Sequence, residues 1–142
     1  YRRQRQMCIR DRHYQHRGVA KSLLRCYYRM ADVMLVTPFK DGMNLVAKEY
    51  VACHDDGSGA LVLSEFAGAA DELNQAYLCN PFDIESVKAA LLNALKALDD
   101  APSTMTQRML TMHQQVTEHD VQLWSQSFLG CLRQAEEQEA GA

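Results

Sequence analysis

The sequence predicts an α/β fold: a parallel, doubly wound sheet followed by a helical C-terminal segment. Three observations point there. Short apolar runs that end in turn residues alternate with stretches of helical periodicity between Ser22 and Asp100. These runs are apolar throughout, as strands are when helices cover both faces of their sheet. After "DDAPS" only helical patterns remain. Strand–helix alternation is the pattern of βαβ units.

The elements follow in order. "SLLRCYYRMA", Ser22 to Ala31, carries Leu23, Leu24, Tyr27, Tyr28 and Ala31 at helical spacing. Asp32–Thr37, "DVMLVT", reads as a strand stopped by Pro38. "MNLVAKEYVAC" reads as a helix and "HDDGSG" as a loop. Ala60–Ser64 is the second strand, "GAADEL" a short helix, and Ala76–Cys79 a third strand ended by Asn80-Pro81. Asp83 is placed to cap the next helix, with Glu85 in its first turn. Val87, Ala90, Leu91, Ala94, Leu95 and Leu98 form one stripe on it. Val121, Trp124, Phe128 and Leu132 form another on the last helix, where Trp124 is expected in core or interdomain packing. "AEEQEAGA" is a polar, acidic tail expected to fray, with 136–142 disordered.

A chain of 142 residues is one domain or part of one, and nearly half of it is apolar, ample for a packed core. No run of about 18 apolar residues occurs, so no transmembrane helix is expected. The N-terminus is basic, but no apolar region of a signal peptide follows. Cys8, Cys26, Cys53, Cys79 and Cys131 are scattered without the spacing of a disulfide framework or a zinc site, which fits reduced thiols in the cytoplasm. Residues 1–30 hold nine of the fifteen Lys and Arg and one acid, Asp11. A basic arm is one mark of a nucleic-acid or anionic-surface partner. However, "QMCIRDR" contains Met-Cys-Ile-Arg-Asp, encoded by ATG-TGT-ATA-AGA-GAC, which resembles a transposon end used as a sequencing adapter. Residues 1–12 therefore read as translated adapter joined to a truncated gene, with no nucleic-acid partner and no membrane.

The stretch that carries chemistry is "TPFKDGMNLVAKEY", Thr37 to Tyr50. Ligands of open α/β sheets sit beyond the carboxyl ends of the strands, where Thr37 to Asn44 falls. Gly42 allows close backbone approach to a ligand. The amides of Gly42, Met43, Asn44 and Leu45 are expected to be the unpaired N–H groups of a helix start, an anion site with the helix dipole behind it. Glu49 lies four residues past Leu45 and three past Val46, on the same helix face. A carboxylate in apolar company is costly unless paired, and two ribose hydroxyls would pair it. A sugar nucleotide satisfies both halves of the pattern. The plainer reading is a capped helix after an Asp-Gly turn, with Glu49 solvated.

Other candidates are weaker. Ser64 and Glu65 open "SEFAGAADEL", which reads equally as a second ligand loop or a tight strand-to-helix turn. His13 and His16 have metal-like spacing without an acid or thiol to complete a site, so no metal is expected. His54, His113 and His119 are expected on the surface. No Cys–His or Ser–His–Asp arrangement stands out.

"ADVMLVTPFKDGMNLVAKEYVAC", "GALVLSEFAGAADEL" and "AYLCNPFDIESVKAALLNAL" closely resemble the trehalose-6-phosphate synthase family, and the similarity continues through "HDVQLWSQSFLGCL". It covers residues 17 to 132. The resemblance implies a retaining glucosyltransferase of two Rossmann-like domains facing across a cleft. It implies transfer of glucose from UDP-glucose, or another NDP-glucose, to glucose 6-phosphate, without metal or cofactor. This chain then corresponds to the second half of the donor-binding domain (residues 13–100) and the closing helices (residues 101–135), the C-terminal half of a two-domain glycosyltransferase. Carried onto matching positions, Asp41 and the backbone of Gly42, Met43 and Asn44 meet the glucose hydroxyls, with Asp41 as the catalytic candidate. Leu45 and Val46 amides lie against the diphosphate and nucleoside, and Glu49 holds the ribose. The base belongs near Val19, where the sequence departs from the family. The arginine and lysine that the family sets against the leaving diphosphate lie on an earlier loop, outside this chain, and Lys40 does not replace them. The glucose 6-phosphate site belongs to the N-terminal domain, so the chain alone is expected to be inactive. The parent enzyme is expected to act in the cytoplasm and is open to homo-oligomer formation. The competing readings are a related synthase with another acceptor such as glycerol 3-phosphate, a non-catalytic nucleotide-binding module, and a nucleic-acid binder using the basic arm.

Overall fold

The computed structural model describes residues 14–140, and the side-chain surroundings of residues 14–134. The adapter-like segment 1–12, Cys8 and His13 lie outside the described residues. The elements are α1 (Lys21–Met30), β1 (Val33–Val36), α2 (Leu45–Ala52), β2 (Ala60–Ser64), α3 (Ala69–Glu72), β3 (Tyr77–Cys79), α4 (Ile84–Asp100), α5 (Pro102–Glu118) and α6 (Val121–Ala140).

The three strands form a parallel sheet in the order β1-β2-β3. Val33 pairs with Ala60 and Val36 with Leu63, while Val62 pairs with Tyr77 and Ser64 with Cys79. Helices cover both faces, as the apolar strands predict. On one face Leu61 and Leu63 of β2 meet Tyr28, Ala47, Tyr50, Val51, Met109 and Met112, brought by α1, α2 and α5. On the other, Ala60 and Val62 meet Ala90 and Ala94 of α4, with Met105 at the start of α5. Every residue of β2 is buried. Each of its large apolar side chains contributes about 1.5–3 kcal/mol through removal from water. The outer strands are thinner in cover: Leu35 of β1 and Leu78 of β3 are exposed.

Local chemistry explains the helix ends. Asp83 accepts the Glu85 N–H at 3.0 Å and starts α4, the expected cap. The stripe on α4 is narrower than its spacing predicts, because Ala90 and Ala94 are buried while Leu95 is exposed. Pro102 opens α5, where its fixed φ suits the first turn. The helix α6 runs to Ala140, into the segment read as a fraying tail; Ala, Glu and Gln are good helix formers.

One expectation about a single residue fails and another is narrowed. His54 is buried, not on the surface. Its Nδ1 lies 2.8 Å from the Tyr50 carbonyl, and its ring packs 4.3 Å from the Tyr50 ring. Gly59 makes this possible: its φ of +77° suits glycine, and a Cβ there would fall 2.4 Å from the Tyr50 hydroxyl. Trp124 is exposed rather than in the core, stacked on Phe128 with centroids 5.3 Å apart. Val121, Phe128 and Leu132 are exposed beside it, so the α6 stripe faces solvent.

Candidate functional site

The site is built from the loops that leave β1 and β2, beyond the carboxyl ends of the strands. The two loops are joined by backbone. Asp41 N–H donates to the Phe66 carbonyl at 3.2 Å, Gly68 N–H to the Asp41 carbonyl at 2.9 Å, and Ala69 N–H to the Met43 carbonyl at 2.7 Å. Asp41 and Ala67 make an isolated parallel bridge that extends the sheet. Gly68 is required here for space: a Cβ would sit 2.2 Å from the Gly42 carbonyl oxygen. The segment Phe66–Ala69 is therefore a buttress under the Asp41–Asn44 loop. The stretch "SEFAGAADEL" forms a tight strand-to-helix turn, with Ser64 Oγ accepting the Phe66 N–H at 3.1 Å.

Asp41 shapes its own loop. One carboxylate oxygen accepts the Met43 N–H at 3.1 Å and the other accepts Asn44 Nδ2 at 3.0 Å. The Met43 amide, followed by the Asn44 side chain, holds the Asp41 carboxyl below the usual carboxylate range. Asn44 takes a left-handed conformation, φ 73°, and caps α2 by accepting the Ala47 N–H at 2.9 Å. Asparagine is one of the few residues with a side chain that enters this region readily. Gly42 does not: its φ is not positive, and a Cβ would meet nothing within 4 Å. Open space, rather than backbone strain, surrounds it.

The anion site differs from its sequence-based form. The helix starts at Leu45, one residue after the cap, and the Met43 amide is already held by Asp41. With Ala47 N–H capped by Asn44, the free first-turn amides are those of Leu45 and Val46. The reading of Glu49 also changes. The buried face of α2 is Ala47, Tyr50 and Val51. Leu45, Val46 and Glu49 lie on the other side and are exposed, so the carboxylate is not in apolar surroundings. Its partner is Tyr28, 21 residues earlier, whose hydroxyl donates to Glu49 Oε2 at 3.2 Å. The flank between is closed by Lys48, which binds both Glu72 oxygens at 2.8 Å and ties α2 to α3.

The loop thus brings Asp41, Gly42, Met43 and Asn44 to one turn and sets Leu45, Val46 and Glu49 on the open face of the helix it starts. Met43, Leu45 and Val46 are all exposed. Sequence reasoning missed the Tyr28 partner and the Phe66–Gly68 buttress. It also missed an aromatic group from the ends of all three strands, Phe39, Phe66 and Phe82, with centroids 4.8 Å (Phe39–Phe82) and 5.7 Å (Phe66–Phe82) apart. The Gly-Ala-Ala run was the one visible sign of close loop packing. Among the described residues, no group of three or more His, Cys, Asp or Glu is placed to hold a metal ion, and no helix is long and apolar enough to cross a membrane.

Comparison with known proteins places this geometry. Residues 10–134 match glycosyltransferase family 20. Trehalose-6-phosphate synthase of Mycobacterium leprae is 52% identical over 128 residues, 90% of this chain and 25% of that protein. The synthase of Mycolicibacterium vanbaalenii is 56% identical over 124 residues, 87% of this chain and 25% of that protein. Among solved structures, an E. coli protein bound with UDP-2-fluoro glucose superposes with a TM-score of 0.77 at 42% identity, covering 86% of this chain and 27% of that one. The trehalose-phosphate synthase of Burkholderia xenovorans in complex with glucose-6-phosphate gives 0.76 at 43% identity, covering 84% and 26%. The chain thus spans about a quarter of the length of the curated relatives it matches. A match over nearly the whole chain, together with the same fold at over 40% identity, leaves one conclusion: this chain belongs to glycosyltransferase family 20.

Proposed function

We propose that this chain supplies the donor-nucleotide side of a retaining glucosyltransferase. That enzyme moves glucose from UDP-glucose, or another NDP-glucose, to glucose 6-phosphate and makes trehalose 6-phosphate. The observation that carries the reading is the open turn from Asp41 to Glu49, with two free helix-start amides between an anchored carboxylate and an exposed one. Family membership and the ligands of the solved relatives support the substrate classes.

The roles follow from position. The amides of Leu45 and Val46 and the dipole of α2 face the diphosphate, where negative charge is favoured. Asp41 and the backbone from Gly42 to Asn44 meet the hydroxyls of the glucose. Glu49, one turn into the helix, accepts hydrogen bonds from the ribose hydroxyls. As the bond from glucose C1 to the diphosphate oxygen breaks, its electron pair leaves with the diphosphate, and preorganised positive groups lower that barrier. Within this chain the amides and dipole of α2 act there; stronger cations and the acceptor site are contributed by other parts of the enzyme. Homo-oligomer formation belongs to this proposal as a property of the full-length enzyme.

The test is an assay of the full-length enzyme containing this segment, given UDP-glucose and glucose 6-phosphate. The expected products are trehalose 6-phosphate and UDP in equal amounts. Release of UDP with glycerol 3-phosphate but not with glucose 6-phosphate would replace the acceptor. No turnover of any nucleotide sugar would overturn the reading.

A further inference from the structure

We propose that Tyr28 is a positioning residue for the donor: its hydroxyl fixes the Glu49 carboxylate in the orientation that receives the ribose. The inference rests on the reading of Glu49 as the ribose-binding group and deepens it.

Glu49 is on an exposed helix face, where a free glutamate samples many rotamers. It is instead held from outside its helix. Tyr28 is the buried residue of α1, 6% exposed, and its hydroxyl reaches Glu49 Oε2 at 3.2 Å. Among the described residues Oε1 has no hydrogen-bond partner, so one oxygen is anchored and the other is left for a ligand. The anchor is itself held by packing. The Tyr28 ring packs edge-on against Tyr50, centroids 6.4 Å apart at 88°. Tyr50, next to Glu49 in sequence, sends its hydroxyl back to the Ala31 carbonyl at the end of α1, at 3.0 Å. Arg29 ties the same end of α1 to Asp55 at 2.7 Å and Asp56 at 3.1 Å beyond α2. The two helices thus meet through a reciprocal pair of tyrosines, one closing the packing and the other aiming the carboxylate. Burial, then the neighbouring Glu49, raises the Tyr28 pKa, so the phenol keeps its proton and is the donor across the neutral range. A carboxylate ordered before binding loses less rotamer entropy when the ribose arrives.

The test compares Tyr28→Phe with the unchanged full-length enzyme on UDP-glucose and on its 2′,3′-dideoxy ribose analogue. Tyr28→Phe keeps the ring and its packing, and an unchanged melting temperature will show that. The expected result is a rise in KM for UDP-glucose of roughly three- to tenfold, the effect of losing one ordinary hydrogen bond, with kcat nearly unaltered. On the dideoxy donor, which lacks both hydroxyls assigned to Glu49, the same substitution should change KM less than twofold, because the aimed contact is already missing. A merely structural role would not produce this split. Equal loss on ribose and deoxyribose donors, or no loss on either, overturns the proposal. If the unchanged enzyme itself does not distinguish ribose from deoxyribose donors, the assignment of Glu49 fails and the role of Tyr28 falls with it.

Discussion

Asp41 carries two duties that pull a substitution in the same direction. Both of its oxygens accept from its own loop, at 3.1 and 3.0 Å, and in the proposed function the same residue meets the donor glucose. Asp41→Ala should therefore loosen the turn and, on the proposed contact of the turn with the transferred glucose, lower kcat by on the order of tenfold or more. Glu49→Ala should act differently: on its proposed contact with the ribose, which does not react, KM for the donor should rise while kcat holds, at a cost of roughly 1.5–3 kcal/mol. Steady-state kinetics separate the two, and unchanged values in both would mean that the carboxylates only cap and solvate the helix. The pH dependence has a defined sign. The folded-state pKa of Asp41 is depressed, by the Met43 amide first and by Asn44 second. Its contribution to loop order is fully present above the unfolded value of about 3.9 and is lost only as pH falls through the lower folded value. Donor binding, followed by titration at constant ionic strength, should thus show no Asp41-dependent loss between neutrality and pH of about 4.

At the scale of elements, the site is two loops locked by three backbone hydrogen bonds and one missing side chain. Gly68→Ala places a methyl group 2.2 Å from the Gly42 carbonyl oxygen, which is backbone and cannot rotate away. The loops must part, breaking the bond from Gly68 N–H to the Asp41 carbonyl. The expected cost is about 1–3 kcal/mol of overpacking, visible as a lowered melting temperature, and donor affinity should fall with it. Retained affinity in a destabilised variant would show that the buttress supports the fold but not the ligand loop. The ion pair of Lys48 with Glu72 reinforces the same junction, with Lys48 largely covered and Glu72 more open.

Across the whole molecule, apolar surface remains uncovered, notably on the outer strands and on α6. Leu35 and Leu78 are exposed on the two outer strands, and α6 presents Val121, Trp124, Phe128 and Leu132 to solvent. Both outer strands of the three-stranded sheet have an unpaired edge among the described residues. Uncovered edges and contiguous apolar patches favour association. The 142-residue chain prepared by itself should therefore sediment as a mixture of species and bind a hydrophobic dye. A single monomeric species that melts cooperatively would show that these surfaces are tolerated in water. Transfer to glucose 6-phosphate by this preparation should be undetectable, since in the proposed function the described residues offer the leaving diphosphate a helix start and leave the stronger cations to other parts of the enzyme.

The order of strands and helices, the parallel sheet and the Asp83 cap were legible in the sequence, because each depends on neighbours a few residues apart. Period, turn chemistry and capping are local quantities. The family was legible for the same reason, through unbroken strings such as "DGMNLVAKEY" and "LSEFAGAA". What the tertiary structure decided depends on distance in space rather than along the chain. His54 follows a helix and precedes acids and glycines, which reads as surface; only the approach of Gly59 to Tyr50 buries it. Trp124 is large and apolar, which reads as core or interdomain packing; its exposure excludes the core of the described residues. Glu49 keeps the position that sequence assigned, yet its surroundings reverse, because α2 turns Ala47, Tyr50 and Val51 inward and leaves the carboxylate side open. Its partner, 21 residues away on another helix, has no local signature at all. Sequence determined which residues stand on the loop and the helix that follows it. Packing between α1 and α2, and between the two loops, decided which of their polar atoms are already occupied and which are left for a ligand.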